Sequence, residues 1–320
     1  MALKYKKINV LHDFNLKLKM YSLPNKKEYK KFFKQINLLS TNEKKEIQNQ
    51  KDNIFVYWGN RLTLNTLKNF KNLKWIHLGS SACDPLIEKE AKKKKILITK
   101  SNEINSKPVA MSVLAFILFF SRGLYLIKIK KKYNRNLFDK NLEYLSDLSF
   151  TKILIVGKGS IAKNLKKLLI NITNNLIFID KKIKKNNFFK NKKYINYFKK
   201  SQYIINTLPY NRNTYKIFND QIFKNFNKSI FINVGRGETV DENSLIKYLK
   251  LKKISFAALD VFNRKNNYSS PYTPLKYSSI LWNKNNVFLT PHIASFDNRY
   301  WDKEILFFKK KLNEIKKKLL

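Results

Sequence analysis

At 320 residues, 43% of them hydrophobic with 24 Phe and 17 Tyr, the chain is long enough for two domains with separate cores and apolar enough to be globular despite 28% charged residues. Its net charge of +44 invites nucleic-acid or membrane partners, yet the lysines are spread along nearly every helix and loop among abundant Asn and Ile, as AT-rich coding would write solvated faces. A basic nucleic-acid-binding protein therefore stays a minor alternative, and no membrane partner is expected. One cysteine, Cys83, excludes an internal disulfide framework and fits a reducing, cytoplasmic setting; MALKYKKINV has no apolar h-region, so no signal peptide is expected.

In chain order, residues 7–11 read as a short strand and the Lys-rich stretch 26–39 as helix. Apolar runs at 54–58, 73–78 and 96–99 are strand candidates separated by enough residues for helices, so the first hundred residues look like a small α/β domain. The second of these runs leads into Gly79, Ser80, Ser81, Ala82, Cys83 and Asp84. Small residues at a strand end expose backbone N–H groups that could hold a carboxylate; an ordinary strand-to-helix turn is the alternative. Pro108 is suited to the first turn of a helix whose apolar run, 109–120, is too short to cross a membrane and reads as buried. Residues 128–147 are basic and irregular.

Ile153–Val156 is a continuous β-branched run, as in a strand buried on both faces, and it stops at Gly157. Lys158 and Gly159 follow, and a helical pattern then runs from Ile161 through Leu165, Leu168 and Leu169. Strand, glycine turn and helix form the context in which G-x-G-x-x-G/A carries meaning. The first Gly turns tightly, the second lets the backbone approach a pyrophosphate, and the third position, here Ala162, must be small for helix and strand to pack. A second strand, Leu176–Ile179, ends at Asp180, about 20 residues on, where a dinucleotide fold places the carboxylate that takes the ribose hydroxyls. That favours NAD; Lys181 and Lys182 keep NADP open, and a generic βαβ unit is the alternative reading.

The alternation continues with strands at 203–207, 230–234, 256–261 and 287–289 and helices at 220–226 and 241–250. The strands end in Leu208-Pro209, Gly235-Arg236-Gly237, Asp260 and Thr290-Pro291-His292, all at carboxyl ends, where ligands bind in open parallel sheets. Residues 263–286 read as a long loop and 301–320 as a terminal amphipathic helix. Arg236 can grip a small carboxylate bidentately, with a structural ion pair as the alternative. His292, one of three histidines, is a candidate proton carrier, with a cap or a buried His as the alternative. Trp58, the 80–83 turn and the segment after His292 are expected to line the substrate pocket.

Over residues 58–295 the chain resembles the D-2-hydroxyacid dehydrogenase family, especially its glyoxylate/hydroxypyruvate reductase-like members. The segments that carry the resemblance are LKWIHLGSSACD, VGKGSIA, INTLPYNRNT, FINVGRGETVDENSLIKYL, AALDVFNR and NVFLTPHIAS. The resemblance implies a Rossmann-type doubly wound parallel sheet domain, residues 103–292, inserted into a smaller flavodoxin-like α/β substrate domain made of 1–102 and 293–320. It implies NAD as cofactor and no metal. Gly157, Gly159, Ser160 and Ile161 would serve the pyrophosphate and Asp180 the adenosine ribose. Leu208, Pro209 and Thr214 would line the cofactor; Val234, Gly235, Arg236, Asp260, His292, Ala294 and Ser295 would surround the nicotinamide. Ser80, Ser81, Ala82 and Cys83, with Arg236, would hold the carboxylate of a small 2-keto or 2-hydroxy acid. A homodimer through the helix after Pro108 is implied as well.

One position departs from the family. Its catalytic Glu follows LDVF as part of an E-P pair, but here Leu259-Asp260-Val261-Phe262-Asn263-Arg264 leads to Lys265 and Asn266, and residues 243–303 contain no Glu. In the family that Glu pairs with the His and keeps it protonated. A Lys does the reverse: like charges ~8 Å apart at an effective dielectric of ~20 repel by roughly 2 kcal/mol. Three readings follow: a slowed reductase, a dehydrogenase with other proton chemistry, and a cofactor-binding protein without catalysis.

Overall fold

The computed structural model describes residues 7–14, 26–80, 83–126, 142, 145–180, 185–263 and 279–319. The chain divides into two compact units, Met1–Asn105 with Asp297–Leu320, and Ser106–Phe296.

The first unit opens with β1 (Ile8–His12), α1 (Lys26–Phe33) and β2 (Ile36–Ser40). The expected helix over 26–39 thus ends early. Lys34 and Gln35 carry its polar pattern past Phe33, but Ile36 and Leu39, three residues apart, enter different core clusters, as opposite faces of a strand do, and β2 pairs in parallel with β1. An amide ladder at Asn9, Asn37 and Gln50 fixes that edge, with Asn37 Nδ2 donating to Asn9 Oδ1 at 3.0 Å. Next come α2 (Lys44–Gln50), β3 (Ile54–Gly59), α3 (Leu64–Asn69), β4 (Trp75–Leu78), α4 (Pro85–Lys93) and β5 (Leu97–Lys100). The parallel sheet has the order β2-β1-β3-β4-β5, the flavodoxin-like arrangement.

The long helix α5 (Asn102–Ser121) begins well before the expected position, which puts Pro108 inside it rather than in its first turn. The polar stretch from Asn102 to Lys107 concealed that first turn and a half. By length and composition α5 is apolar enough to cross a membrane. Val109, Val113, Phe116, Ile117 and Phe120 are nevertheless buried in the second unit's core, so it is a core helix.

The second unit continues with β6 (Ile153–Val156), α6 (Ser160–Leu169), β7 (Leu176–Ile179), α7 (Lys185–Lys190), α8 (Lys192–Lys200), β8 (Tyr203–Asn206), α9 (Asp220–Phe223), β9 (Ser229–Asn233), α10 (Glu242–Lys250), β10 (Ile254–Leu259) and β11 (Val287–Leu289). Sequence patterning did not reveal α7 and α8; α8 is capped by Asn191 and buries Phe198. The sheet is parallel throughout, in the order β11-β10-β9-β8-β6-β7, so strand order reverses between β6 and β8. Alternate residues face opposite cores: Leu154 and Val156 pack into one cluster, Ile153 and Ile155 into the other. Burial on both faces explains why these strands are continuous apolar runs.

The terminal helix α11 (Tyr300–Leu319) returns to the first unit. Its Phe308 stacks on Trp58 at 4.1 Å and on Trp75 at 5.1 Å between ring centroids.

Candidate functional site

In an open parallel sheet the place for a ligand is the carboxyl edge where strand order reverses, here between β6 and β8. The turn after β6 is built for close approach. Gly157 has φ +110°, a region closed to most L-residues, and a Cβ on it would lie 2.5 Å from Thr207 Oγ1. That hydroxyl donates to Val156 O at 3.1 Å and sits 3.3 Å from Gly157 O, joining the ends of β6 and β8.

Gly159 differs. Its φ of −92° suits any residue, and a Cβ there would meet no heavy atom within 4 Å. Neither conformation nor packing calls for glycine. A ligand approaching the backbone would. Gly159 is also the N-cap of α6 and provides no side chain to cap it, so the first N–H groups of Ser160 and Ile161 lie at the positive end of the helix dipole. Ala162, 1% exposed, packs the helix against the sheet. Asp180 is exposed at the end of β7. Lys181 and Lys182 lie outside the described residues.

Buried amides hold the next two loops. Asn206 and Asn233 are register partners at the ends of β8 and β9. Asn206 Nδ2 donates to Asn233 Oδ1 at 2.9 Å and to Thr239 Oγ1 at 2.7 Å, while its Oδ1 accepts Leu208 N–H at 3.1 Å. Asn233 Oδ1 accepts Gly235 N–H, and Thr239 Oγ1 donates to Arg236 O at 2.6 Å. Sequence reasoning missed all three positioning residues; the only trace is an Asn closing each apolar strand. Farther along, Thr214 Oγ1 donates to Pro209 O at 2.7 Å and pins that loop.

Glycines bring the loops together. A Cβ on Gly235 would lie 2.6 Å from Leu208 O, and one on Gly237 would overlap Phe262 O at 1.8 Å. The glycines flanking Arg236 therefore serve packing between neighbouring loops, and they leave Arg236 half-buried on the loop between them, with Nη1 donating to Gly235 O at 2.6 Å.

Asp260 is 2% exposed, and its carboxylate is taken up by the turn after β11. It accepts Thr290 Oγ1–H at 2.6 Å, Ile293 N–H at 2.9 Å and Ala294 N–H at 3.2 Å. The same turn carries His292 at φ +58°, with its N–H donating to Thr290 O at 2.9 Å. Ser112 Oγ donates to Ala294 O at 3.0 Å, and Ser295 is half-buried beside it. Asp260 thus acts through the turn that presents His292. Lys265 lies outside the described residues.

In the first unit, Gly79 and Ser80 follow β4, and Asp84 caps α4 by accepting Leu86 N–H at 2.8 Å. Ser81 and Ala82 lie outside the described residues. Burial pushes the Cys83 thiol up to about 11, so it is no thiolate at neutral pH. Trp58 is not a pocket residue: it is fully buried, with Nε1 donating to Glu304 Oε1 at 2.9 Å. The first unit's own switch point, between β1 and β3, is closed by Asp13, which accepts Tyr57 OH at 2.6 Å and the N–H groups of Asn60 and Arg61.

A doubly wound sheet whose order reverses beside a glycine turn, an uncapped helix N-terminus and an acidic residue after the next strand defines a dinucleotide-binding α/β unit. Residues 114–294 match the family model of the D-isomer specific 2-hydroxyacid dehydrogenase, NAD binding domain, and because this is more than half of the chain, the chain belongs to that family. The glyoxylate reductase of Pyrococcus horikoshii is 37% identical over 98 residues, 30% of this chain and only 27% of that protein's length. The glyoxylate reductase of Thermofilum pendens is 28% identical over 234 residues, 70% of this chain and 66% of its own length. The structure of D-lactate dehydrogenase from Aquifex aeolicus complexed with NAD and lactic acid shares the fold, with a TM-score of 0.71 at 20% identity over 97% of this chain and 95% of that one.

Proposed function

We propose that the protein is an NAD(H)-dependent oxidoreductase interconverting a small 2-keto acid and its D-2-hydroxy acid, acting as a cytoplasmic homodimer. The observation that carries this reading is the run of contacts that links the carboxyl-edge loops bearing Gly159, Arg236 and His292 by way of the loops after β8 and β10, beginning with Gly157 packed on Thr207. Gly235 packs on Leu208, Gly237 on Phe262, and Asp260 anchors the His292 turn. Gly159 and the N–H groups of Ser160 and Ile161 would hold the cofactor's pyrophosphate, and Asp180 its adenosine ribose. When bound, the cofactor supplies or accepts the hydride.

Arg236 orients the acid through its guanidinium fork, and backbone N–H groups of the 80–83 turn take the carboxylate. His292 carries the proton to or from the substrate oxygen. Lys265, where the family has Glu, disfavours the protonated imidazole and slows reduction near neutrality. The exposed apolar side chains of α5, among them Met111 at 50% and Leu118 at 40%, would supply the dimer face.

The test is NADH oxidation with glyoxylate, hydroxypyruvate and pyruvate, run beside Arg236→Lys. Turnover by the native protein, collapsing in the variant while NADH still binds, supports the reading. Lys265 alone favours a second one, an NAD-binding protein without turnover; NADH binding with no oxidation of any keto acid would establish it.

A further inference from the structure

Gly79 is the first residue beyond β4, and its carbonyl is held from two sides. Tyr300 OH, from the start of α11, donates to Gly79 O at 2.8 Å, and Asn105 Nδ2, from the first turns of α5, donates to it at 3.2 Å. Glycine is required here by space rather than by conformation. A Cβ would lie 2.7 Å from the Tyr300 hydroxyl and 3.3 Å from Glu304 Oε1, whereas the residue's φ lies outside the left-handed range.

The strand beneath is fixed by the same two helix starts. His77, fully buried on β4, meets Ser101 Oγ at 3.2 Å and Glu304 Oε1 at 3.3 Å through Nε2, and Thr99 Oγ1 at 2.6 Å through Nδ1. Two residues of β4 and its exit are thus tied both to the segment at 101–105 and to the segment at 300–304.

A peptide unit is planar, and none among the described residues is cis. Its C=O and the following N–H therefore point in opposite directions. Pinning the Gly79 carbonyl onto Tyr300 and Asn105 fixes the Ser80 N–H to face away from both. That N–H is the first donor of the turn assigned above to the substrate carboxylate.

We propose that Tyr300 and Asn105 are positioning residues that aim the Ser80 N–H at the carboxylate of the keto acid. This rests on the reading that the 80–83 turn holds that group. Neither side chain takes part in the chemistry, and each acts through the orientation of one peptide plane.

The experiment is steady-state NADH oxidation by Tyr300→Phe and Asn105→Ala, with pyruvate and with its uncharged methyl ester as substrates. Tyr300→Phe keeps the ring that packs edge-on against Trp301. Loss of one hydrogen bond worth about 1 kcal/mol corresponds to a fivefold effect, so KM for pyruvate should rise about fivefold in each variant. kcat, NADH affinity and KM for the ester should stay within about twofold, because a carboxylate-specific donor has no counterpart in the ester. Equal rises for acid and ester, or an unchanged KM for pyruvate, would overturn the proposal and leave the keto-acid reading standing. A native protein that turns over no keto acid would remove both. If Tyr300→Phe melts at a much lower temperature, Asn105→Ala gives the same discrimination.

Discussion

Two glycines two residues apart separate the cofactor reading from simple fold maintenance. Gly157→Ala should damage the fold. At φ +110° an alanine costs about 1–3 kcal/mol in backbone strain. Its Cβ, 2.5 Å from Thr207 Oγ1, would also displace a hydroxyl bonded to the β6 end, worth about 1 kcal/mol more. A total of about 2–4 kcal/mol should show as a lower urea midpoint.

Gly159→Ala should be nearly silent for stability. The added methyl meets nothing within 4 Å, the backbone angle is ordinary, and the small N-cap penalty is offset by about 0.4–1 kcal/mol from a stiffer unfolded chain. NADH binding should nevertheless fall. A methyl where a phosphate oxygen must come within about 3 Å of backbone N–H groups forfeits charge-assisted hydrogen bonds worth about 1.5–3 kcal/mol, a loss of roughly 10- to 150-fold. The assay is NADH fluorescence titration beside thermal melting with and without NADH. Ligand at a hundred times Kd stabilises the native protein by about 2.7 kcal/mol, and at the same concentration only about 0.3–1.4 kcal/mol of it should remain in Gly159→Ala. A Gly159→Ala variant that binds NADH as the native protein does would refute the placement of the pyrophosphate at this turn.

The remaining expectations concern charge. NADH should bind more tightly than NADPH, since Asp180 repels a 2′-phosphate; the opposite order in a titration would mean that Lys181 and Lys182 prevail. On the proposed pairing of residue 265 with His292, Lys265→Glu would replace repulsion by attraction, worth about 2–4 kcal/mol toward the protonated imidazole, so reduction should speed up near neutrality and decline only at higher pH. An unchanged pH–rate profile in a folded, NADH-binding variant would show that residue 265 does not act on His292. Cys83, its thiol pushed up to about 11 by burial, should react slowly with iodoacetamide at pH 8 and faster as pH climbs toward 11. Because the unfolded thiol ionises first, near 9, its burial should also cost stability progressively between pH 9 and 11; fast alkylation at pH 8 would contradict this.

Both sheets were legible where burial on two faces forces continuous apolar runs, as in Ile153–Val156 and Tyr203–Asn206. The edge strand β2 was not, since Asn37 and Ser40 break up its apolar run and the Lys-rich α1 ends only two residues before it. Pro108 misled for a different reason. Its fixed φ suits a first helical turn, and the tertiary setting carries α5 through it. In the site, the glycine turn and its neighbours could be read from spacing. Asn206, Asn233 and Thr239 could not, because the bonds that join them to one another cross between neighbouring strand ends some 27 and 33 residues apart in the chain. Asp260 read as a cofactor neighbour, while its hydrogen bonds belong to the turn carrying His292.

The interruption of the first unit by the second has a consequence for how the chain reaches its native state. Ser106–Phe296 is contiguous and can close its own core as soon as it is made. The β1–β5 sheet cannot. Trp58 and Trp75 wait for Phe308, and the Trp58 indole and the buried His77 wait for Glu304, all contributed by the last helix. Bringing that helix home closes a loop of nearly two hundred residues, but the entropic cost grows only logarithmically with loop length and is smaller still once the intervening unit is compact. Refolding should therefore show two phases, with NADH affinity recovered in the faster one and tryptophan burial completed in the slower.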